Sequence, residues 1–259
     1  MTSAAVDALA AAWRDAASVV VLTGAGMSTA SGIPDFRSPG GRWSTYRPVT
    51  IQEFLTSEAA RITYWRYKGE TWQVIQAARP NPAHDALTAL AHAGRVALLV
   101  TQNVDGLHER SGFPEERLVR IHGTDALVEC TRCARRAPRA VAQDAWEAGA
   151  PVPRCPCTGA WKPATISFGQ DLVAADLQRA MRAAATCDLF VAAGTSLVVG
   201  PINQMFTMAR GVGASTAILT ASATPFDDAA DWKIDAPLET VLPALRAGVD
   251  AVPSGRPSS

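Results

Sequence analysis

Apolar and polar positions alternate in blocks along the chain. Short apolar runs occur at residues 18–24, 96–103, 187–196 and 216–222, and each ends in Gly, Ser or Asn. Alanine- and leucine-rich stretches with helical spacing lie between them, such as the one that begins at Pro82 and ends at Gly94. This alternation predicts an α/β fold, with a Rossmann-like parallel sheet covered by helices on both faces.

Two segments interrupt the alternation. Residues 38–81 carry aromatic and charged side chains without strand signals, and residues 125–163 hold four of the five cysteines. We interpret both as insertions that form a smaller helical and zinc-binding module. The polar, turn-rich residues 251–259 predict a disordered tail. The main nucleotide-binding domain is then predicted from residues 1–37, 82–124 and 164–250.

Charge and hydropathy narrow the choice of partners. The 259 residues contain 24 Lys and Arg against 24 Asp and Glu, so no strong field favours nucleic acid or an anionic membrane. The N-terminus is apolar, but Asp7, Arg14 and Asp15 interrupt it, and no run approaches the roughly 20 apolar residues that span a bilayer. We therefore expect a cytoplasmic protein, in which disulfides are rare.

A glycine-rich turn follows the first apolar run. Gly24 and Gly26 let the backbone approach a pyrophosphate next to a helix N-terminus, but Thr29 stands where the third glycine of a dinucleotide fingerprint is expected. This turn alone is therefore compatible with nucleotide binding or with an ordinary strand-to-helix connection. The following stretch, residues 32–37 ("GIPDFR"), has the composition of a shaped lid, with a surface turn as the alternative.

A second polar cluster ends the second apolar run. It contains Gln102, Asn103, Asp105 and His108, and His122 follows next to a glycine. Open α/β sheets bind their ligands at the carboxyl ends of the strands, so this cluster is a candidate site.

The cysteines form two close pairs. Cys130 and Cys133 are spaced C-x₂-C, and Cys155 and Cys157 are spaced C-x-C. Four thiols at chelating spacing in a cytosolic chain predict a structural Zn²⁺ site, with a packing role as the alternative. Cys187 stands at a strand start and is expected to be a buried apolar residue.

These motifs, taken together and in order, resemble the sirtuins of the bacterial type, which are NAD-dependent protein-lysine deacylases. The resemblance runs through "GAGMSTASGIPDFRS", "RPNPAHDAL", "TQNVDGLH", "IHG", "CTRC", "WKPATISFG" and "GTSLVV" and covers about residues 15 to 245. It implies NAD as co-substrate, acylated protein lysines as substrate, transfer of the acyl group to ADP-ribose and release of nicotinamide.

The resemblance also assigns residues. His122 would be the general base, for which an imidazole pKa near neutrality is suited, and Asn103 would assist it at the nicotinamide ribose. His84, His92 and His108 are expected to be structural. The residues that would hold NAD are Gly24, Ala25, Gly26, Ser28, Ile33, Asp35, Phe36, Arg37, Gln102, Asn103, Asp105, Gly194, Thr195, Ser196, Thr220, Ala221 and Ser222. The segment that would pair with the peptide contains Ile166, Phe168, Gly169 and Gln170.

The chain departs from the family pattern at three places. The second cysteine pair is C-x-C where C-x₂-C is usual, Gln170 replaces a usual Glu, and Thr220 replaces a usual Asn. These differences leave zinc affinity, a preference for basic peptides and the adenosine contacts open.

Residues 62–72 are the segment that indicates which acyl group is preferred. The branch that prefers succinyl or malonyl lysine resembles a Tyr-x-x-Arg pair here, and our alignment places Trp65 and Lys68 at those positions, which favours acetyl. A shift of one residue would instead combine Tyr64 or Tyr67 with Arg66. Desuccinylation and mono-ADP-ribosyl transfer remain alternatives on the same scaffold, and a non-enzymatic zinc-ribbon binding module is an alternative of another class.

Overall fold

The computed structural model of the chain describes residues 2–35 and 46–251. Its helices are α1 (Thr2–Asp15), α2 (Ile51–Thr56), α3 (Glu58–Ala77), α4 (Pro82–His92), α5 (Leu107–Arg110), α6 (Arg139–Glu147), α7 (Ala174–Ala184), α8 (Gln204–Gly211) and α9 (Leu238–Asp250). Its strands are β1 (Val19–Thr23), β2 (Leu98–Thr101), β3 (Leu118–Arg120), β4 (Gly123–Cys130), β5 (Arg136–Pro138), β6 (Trp161–Thr165), β7 (Leu189–Ala193), β8 (Ser215–Leu219) and β9 (Trp232–Ile234).

The large sheet of the described chain is parallel throughout and has the strand order β3-β2-β1-β7-β8-β9. The chain builds outward from β1 in one direction and from β7 in the other, so the order reverses between these two strands. Such a switch point opens a crevice at the carboxyl edge of the sheet. The predicted Rossmann-like architecture is confirmed.

The sheet is buried on both faces, as the long apolar runs predict. Val19 and Val21 of β1 pack into one core with α1, α4 and α9, whereas Val20 and Leu22 pack into the other with α7 and α8. The period of two along the strand therefore serves two cores at once. This is why the strands read as continuous apolar runs in the sequence.

Helix α4 begins where its sequence predicts. The Asn81 side chain accepts a hydrogen bond from the N–H of Ala83, and Pro82 occupies the first turn, where a missing N–H costs nothing. The helix thus places its N-terminus beside the glycine-rich turn after β1, since Asn81 Nδ2 also donates to the Met27 carbonyl at 3.0 Å.

The two insertions share one small core. Strands β4, β5 and β6 form an antiparallel sheet, and its Val128 and Trp161 pack with Phe54 and Trp65 from the helical segment. Neither insertion has enough apolar residues to form a core alone, so each completes the other. The antiparallel sheet begins just before residue 125 and ends just after residue 163.

Two short strands at the sheet edges, β3 and β9, have no counterpart in the predicted runs. Each contains three residues, too few for a periodic signal. Among the helices that the structure describes, none combines the length and apolar character needed to cross a bilayer.

Candidate functional site

A cavity of about 970 Å³ opens at the carboxyl edge of the large sheet, next to the loops that follow β1, β2, β7 and β8. Its size is that of a pocket for a sizeable ligand. Phe36 and Arg37 lie outside the described residues. Apart from Gly24, every other predicted cofactor, catalytic or peptide residue lines it: Ala25, Gly26, Ser28, Ile33, Asp35, Gln102, Asn103, Asp105, His122, Ile166, Phe168, Gly169, Gln170, Gly194, Thr195, Ser196, Thr220, Ala221 and Ser222.

Three glycines let two loops cross in direct contact at the switch point. Gly24 N–H donates to the Ala193 carbonyl at 3.0 Å, and Gly26 N–H donates to the Gly194 carbonyl at 2.9 Å. A Cβ on Gly24 would lie 2.7 Å from the Gly194 oxygen, and a Cβ on Gly194 would lie 2.4 Å from the Met27 nitrogen. Gly24 therefore contacts the loop after β7 and does not line the cavity itself.

A polar cluster joins the first loop to the loop after β2. Asn103 Nδ2 donates to the Gly24 carbonyl at 2.9 Å and to Ser28 Oγ at 3.2 Å. Ser28 Oγ donates to Asp105 Oδ2 at 2.8 Å, and the Leu107 N–H donates to Asp105 Oδ1 at 2.9 Å. Burial raises the pKa of the Asp105 carboxyl, and these two donors oppose that shift. The cluster fixes the orientation of all three side chains before a ligand arrives.

The backbone of Gln102 orients His122. The Gln102 carbonyl lies 3.1 Å from His122 Nδ1, and a carbonyl oxygen can only accept, so Nδ1 carries the proton. Nε2 is then the basic nitrogen of the neutral ring. Burial lowers the pKa of His122, and the bond to Gln102 opposes this only in part. The imidazole is therefore neutral and basic at pH 7. The Gln102 side chain is held separately, since its Oε1 accepts from Thr195 Oγ1 at 2.7 Å.

The segment after β6 forms the opposite wall of the cavity. The Ile166 N–H donates to the His122 carbonyl at 2.8 Å, so this segment is tied to the residue that carries the candidate base. The Phe168 carbonyl accepts from the Ile51 N–H at 2.9 Å, and the Phe168 side chain is 50% exposed. Gln170 is exposed, and its Oε1 accepts from a backbone N–H three residues earlier at 3.1 Å.

Helix α3 supplies a wall that the motifs do not reveal. The lining positions are Tyr64, Tyr67, Lys68, Thr71 and Ile75. Their spacing of three or four residues corresponds to one helical face, so a helical projection of residues 58–77 could have identified them.

Of the two residues that our alignment places at the acyl-selecting positions, Lys68 lines the cavity and Trp65 does not. The Trp65 side chain is fully buried beneath the wall and donates Nε1–H to the Trp161 carbonyl at 2.9 Å. Lys68 lines the cavity, with Nζ 3.5 Å from Oδ1 of the buried Asp125. Arg66 is exposed and does not line the cavity, so the shifted alignment is not supported either.

The far end of the cavity was also missed. Asp235, Ala236 and Pro237 line it from the loop that joins β9 to α9, and Leu238 and Glu239 line it from the first turn of α9. Because β9 is only three residues long, the sequence offered no strand end from which to place this loop. Val104, Thr165 and Ser167 also line the cavity, at positions of the recognised motifs to which no role was assigned, and Tyr46, Asp171 and Leu172 line it outside those motifs.

The other histidines lie away from the cavity, in agreement with the structural interpretation. His84 and His108 are fully buried behind it, with ring centroids 4.9 Å apart. His92 Nε2 lies 3.1 Å from the Gly112 carbonyl at the surface.

The four paired cysteines converge on one point. The Sγ atoms of Cys130, Cys133, Cys155 and Cys157 all lie within 4.8 Å of one another, and two of the separations are 3.4 and 3.8 Å. Tetrahedral Zn²⁺ with Zn–S distances of about 2.3 Å requires S–S distances of roughly 3.8 Å, so the four sulfurs fit this ion. Cys187 is buried elsewhere, as expected.

Each cysteine pair ends in a turn with a left-handed residue. The residue after the second cysteine of each pair, Ala134 or Thr158, has a positive φ, of 57° and 72° respectively. A Cβ on Gly159 would lie 2.6 Å from Cys130 Sγ, so glycine is required there. The Gly159 backbone N–H also lowers the pKa of the Cys157 thiol to about 6, which favours the thiolate that a metal binds.

Comparisons with known proteins agree with this site. A statistical description of the Sir2 family matches residues 24–201. The NAD-dependent protein deacetylase of Rhodopseudomonas palustris is 40% identical over 233 residues, which covers 90% of this chain and 92% of the relative.

Two solved structures are similar over nearly their whole length. A Sir2 variant with deacetylated p53 peptide and 3′-O-acetyl ADP ribose has a TM-score of 0.86 at 28% identity, covering 93% of this chain and 96% of the other. A Sir2 complex with p53 peptide and NAD⁺ has a TM-score of 0.84 at 29% identity, covering 91% and 94%.

Proposed function

This chain belongs to the Sir2 family, and on that basis we propose a role for each residue of the site. It is an NAD-dependent protein deacetylase, which transfers the acyl group of an acylated lysine to ADP-ribose and releases nicotinamide. One observation carries the proposed roles: a single cavity joins the glycine loops, the oriented His122 and the exposed 166–170 segment. Cofactor, base and peptide can therefore meet in one space.

His122 is the general base. The acyl oxygen of the lysine would bond to the ribose C1′ of bound NAD as the bond to nicotinamide breaks, and a ribose hydroxyl would then lose its proton as it attacks the acyl carbon. His122 Nε2 takes that proton, because Nδ1–H is held by the Gln102 carbonyl and the ring is neutral. The same bond stabilises the imidazolium that results.

Asn103 and Asp105 address the nicotinamide half of the co-substrate. Asn103 commits both its amide donors to the loop, so Oδ1 is presented as the acceptor for a ribose hydroxyl. Asp105, with Ile33, lines the pocket for the carboxamide. Burial of this carboxylate makes a hydrogen bond from a ligand N–H favourable.

The remaining cofactor residues hold the phosphates and the adenosine. Gly26 and Gly194 allow close approach of the pyrophosphate, Thr195 and Ser196 supply hydroxyls, and residues 220–222 lie beside the adenosine. Asp35 would close the lid over the nicotinamide ribose.

The peptide binds along residues 166–170. Ile166, Phe168, Gly169 and Gln170 line the cavity, and Phe168 is half-exposed, as expected for a segment that receives an extended peptide. The acyl group then faces Tyr64, Tyr67 and Lys68 of α3.

Zinc would be held by Cys130, Cys133, Cys155 and Cys157, and it would cross-link the small module. None of these cysteines lines the cavity, so its contribution is structural. Because four thiols at one point require a reducing compartment, we also propose that the protein works in the cytoplasm. No charge excess in the composition favours nucleic acid as a partner.

Mass spectrometry tests the activity. Purified protein is incubated with NAD and one acetyl-lysine peptide, and the peptide, nicotinamide and acetyl-ADP-ribose are quantified. We expect equal amounts of the three products, with none in samples that lack NAD. A mass gain on a protein side chain without loss of acetyl would instead indicate mono-ADP-ribosyl transfer, and a binding module would yield no product.

A further inference from the structure

A pair of buried histidines lies directly behind the cavity. His84 on α4 and His108 on α5 have relative exposures of 0% and 1%, and their ring planes meet at 56°. One nitrogen of each ring, His84 Nε2 and His108 Nδ1, has no hydrogen-bond partner. A polar nitrogen buried without a partner is costly, so the pair calls for a physical account.

The tautomer of His84 follows from its other nitrogen. Nδ1 lies 3.3 Å from the Asn81 backbone N–H, which can only donate, so Nδ1 accepts. The neutral ring therefore carries its proton on Nε2. Burial lowers the pKa of His84 to about 4, so the ring is neutral at pH 7.

The tautomer of His108 follows from two threonines. Thr23 Oγ1 donates its only proton to Thr101 Oγ1 at 2.9 Å, so it accepts from His108 Nε2–H at 3.0 Å. His108 Nδ1 is then without a proton. Burial also lowers the pKa of His108 well below its usual value, so this ring is neutral as well.

The two nitrogens without partners are thus complementary. His84 offers a donor and His108 offers an acceptor, on rings whose centroids are 4.9 Å apart. The rings pack against each other without a hydrogen bond between these two nitrogens. The hydrogen bonds on either side run in the same sense: the Asn81 N–H donates to His84, and His108 donates to Thr23, which donates to Thr101.

This series of hydrogen bonds ends at the loop after β2, which carries Asn103. Thr101 Oγ1, its last acceptor, also accepts the backbone N–H of Asn103 at 3.1 Å. Its first member, Asn81, donates from Nδ2 to Met27 O at 3.0 Å and to Ser31 Oγ at 2.9 Å, in the loop after β1. The histidine pair therefore links the loop after β2, which carries Asn103, to the loop after β1, which binds the Asn103 side chain.

We propose that His84 and His108 are positioning residues that act on the reaction through Asn103. They fix the backbone from which Asn103 reaches the ribose, and they link its position to that of the loop after β1. The inference rests on the proposed role of Asn103. It assigns no proton transfer to either histidine.

The first test needs no substrate. The protein contains four histidines, and ¹⁵N-histidine labelling reports the tautomer of each ring from its two nitrogen shifts. At pH 7 we expect Nε2–H for His84 and for His108, and Nδ1–H for His122. Finding His108 as Nδ1–H, or charged, would overturn the proposal whatever the activity of the protein.

The second test removes the hydroxyl that accepts the hydrogen bond from His108. Thr23→Val keeps the β-branched shape and removes the hydroxyl, and Thr216→Val is the matched control, since Thr216 is a buried strand threonine on β8 whose hydroxyl bonds Asp231. We expect Thr23→Val to lower kcat about tenfold with the KM for peptide unchanged, because small displacements of a positioned group are costly. The Thr216→Val enzyme should keep the wild-type kcat.

Thr23→Ser provides the rescue, because serine restores the hydroxyl, and it should recover most of the wild-type kcat. Equal kcat in Thr23→Val and Thr216→Val, or no recovery in Thr23→Ser, would show that the pair only packs. If the wild-type enzyme does not deacetylate, the proposed function fails, and the tautomers still decide this inference.

Discussion

The crossing of the two glycine loops makes Gly194→Ala an informative substitution. Gly194 has a φ of +65°, where an L-residue costs about 1–2 kcal/mol. Its new Cβ would also lie 2.4 Å from the Met27 nitrogen and 2.7 Å from the Gly26 carbonyl carbon. Both contacts are with backbone, which cannot swing away as a side chain can.

The size of the effect follows from these two contributions. Overpacking of this kind costs about 1–3 kcal/mol, so the sum is roughly 3 kcal/mol. For a chain of this length, 1 kcal/mol lowers the Tm by about 2–4 °C, so we expect a decrease of roughly 6–12 °C. The loop that carries Gly26 must also shift, so the KM for NAD should rise.

Gly213→Ala is the control that introduces backbone strain without a steric clash of the new Cβ. Gly213 has a φ of +84°, but a Cβ there would meet no atom within 4 Å, and the residue does not line the cavity. It should cost about 1 kcal/mol, or about 2–4 °C, with an unchanged KM for NAD. Differential scanning calorimetry and NAD titrations of both variants provide the measurement. Equal melting temperatures and equal KM values for the two variants would refute the argument that the loops interlock.

Four further predictions concern the site and its surroundings. His122→Ala should lower kcat by roughly 10² or more while the Tm stays near that of the wild type, and more than about a tenth of the wild-type rate would contradict its role as base. Burial holds the pKa of His84 at about 4, below its ordinary 6.5. The contribution of this neutral ring to the free energy of unfolding should therefore be fully present above pH 6.5 and should decrease as the pH drops toward 4, by up to about 3 kcal/mol. Urea unfolding at pH 7 and pH 5 would measure this decrease. Elemental analysis should find one zinc per chain in the wild type and less in Cys157→Ser, with a lower Tm for the variant; wild-type protein without zinc would exclude the site. The Asp125 carboxylate already pairs with the Lys68 ammonium, so Lys68 should attract a succinyl carboxylate only weakly. We therefore expect a higher kcat/KM for an acetyl peptide than for its succinyl counterpart, and the reverse order would contradict this prediction.

Local patterns in the sequence were sufficient for much of the fold and site. The strand at 19–23 follows from the four consecutive apolar residues at 19–22, because burial on both faces of the sheet favours apolar side chains at successive positions. Helix α4 follows from Pro82 and Gly94, and the zinc site follows from cysteine spacing alone. The strand and the helix depend on residues close together in the chain, and each half of the zinc site is a pair of neighbouring cysteines.

The tertiary structure decided what depends on distant residues meeting. The contact between Gly24 and Gly194 arises because β1 and β7 are neighbours, which no local signal announces. The role of α3 as a cavity wall, and the burial of Trp65 in place of the acyl pocket, depend on how that helix rotates against β4 and β6.

The protonation of the histidines shows the same division. Their residue type is in the sequence, but their state is set by neighbours far along the chain. His122 is oriented by the Gln102 carbonyl, and His108 by Thr23 across 85 residues. Sequence specifies which groups can ionise or donate, whereas the desolvation and the partner that choose one tautomer exist only once the sheet has brought the strand ends together.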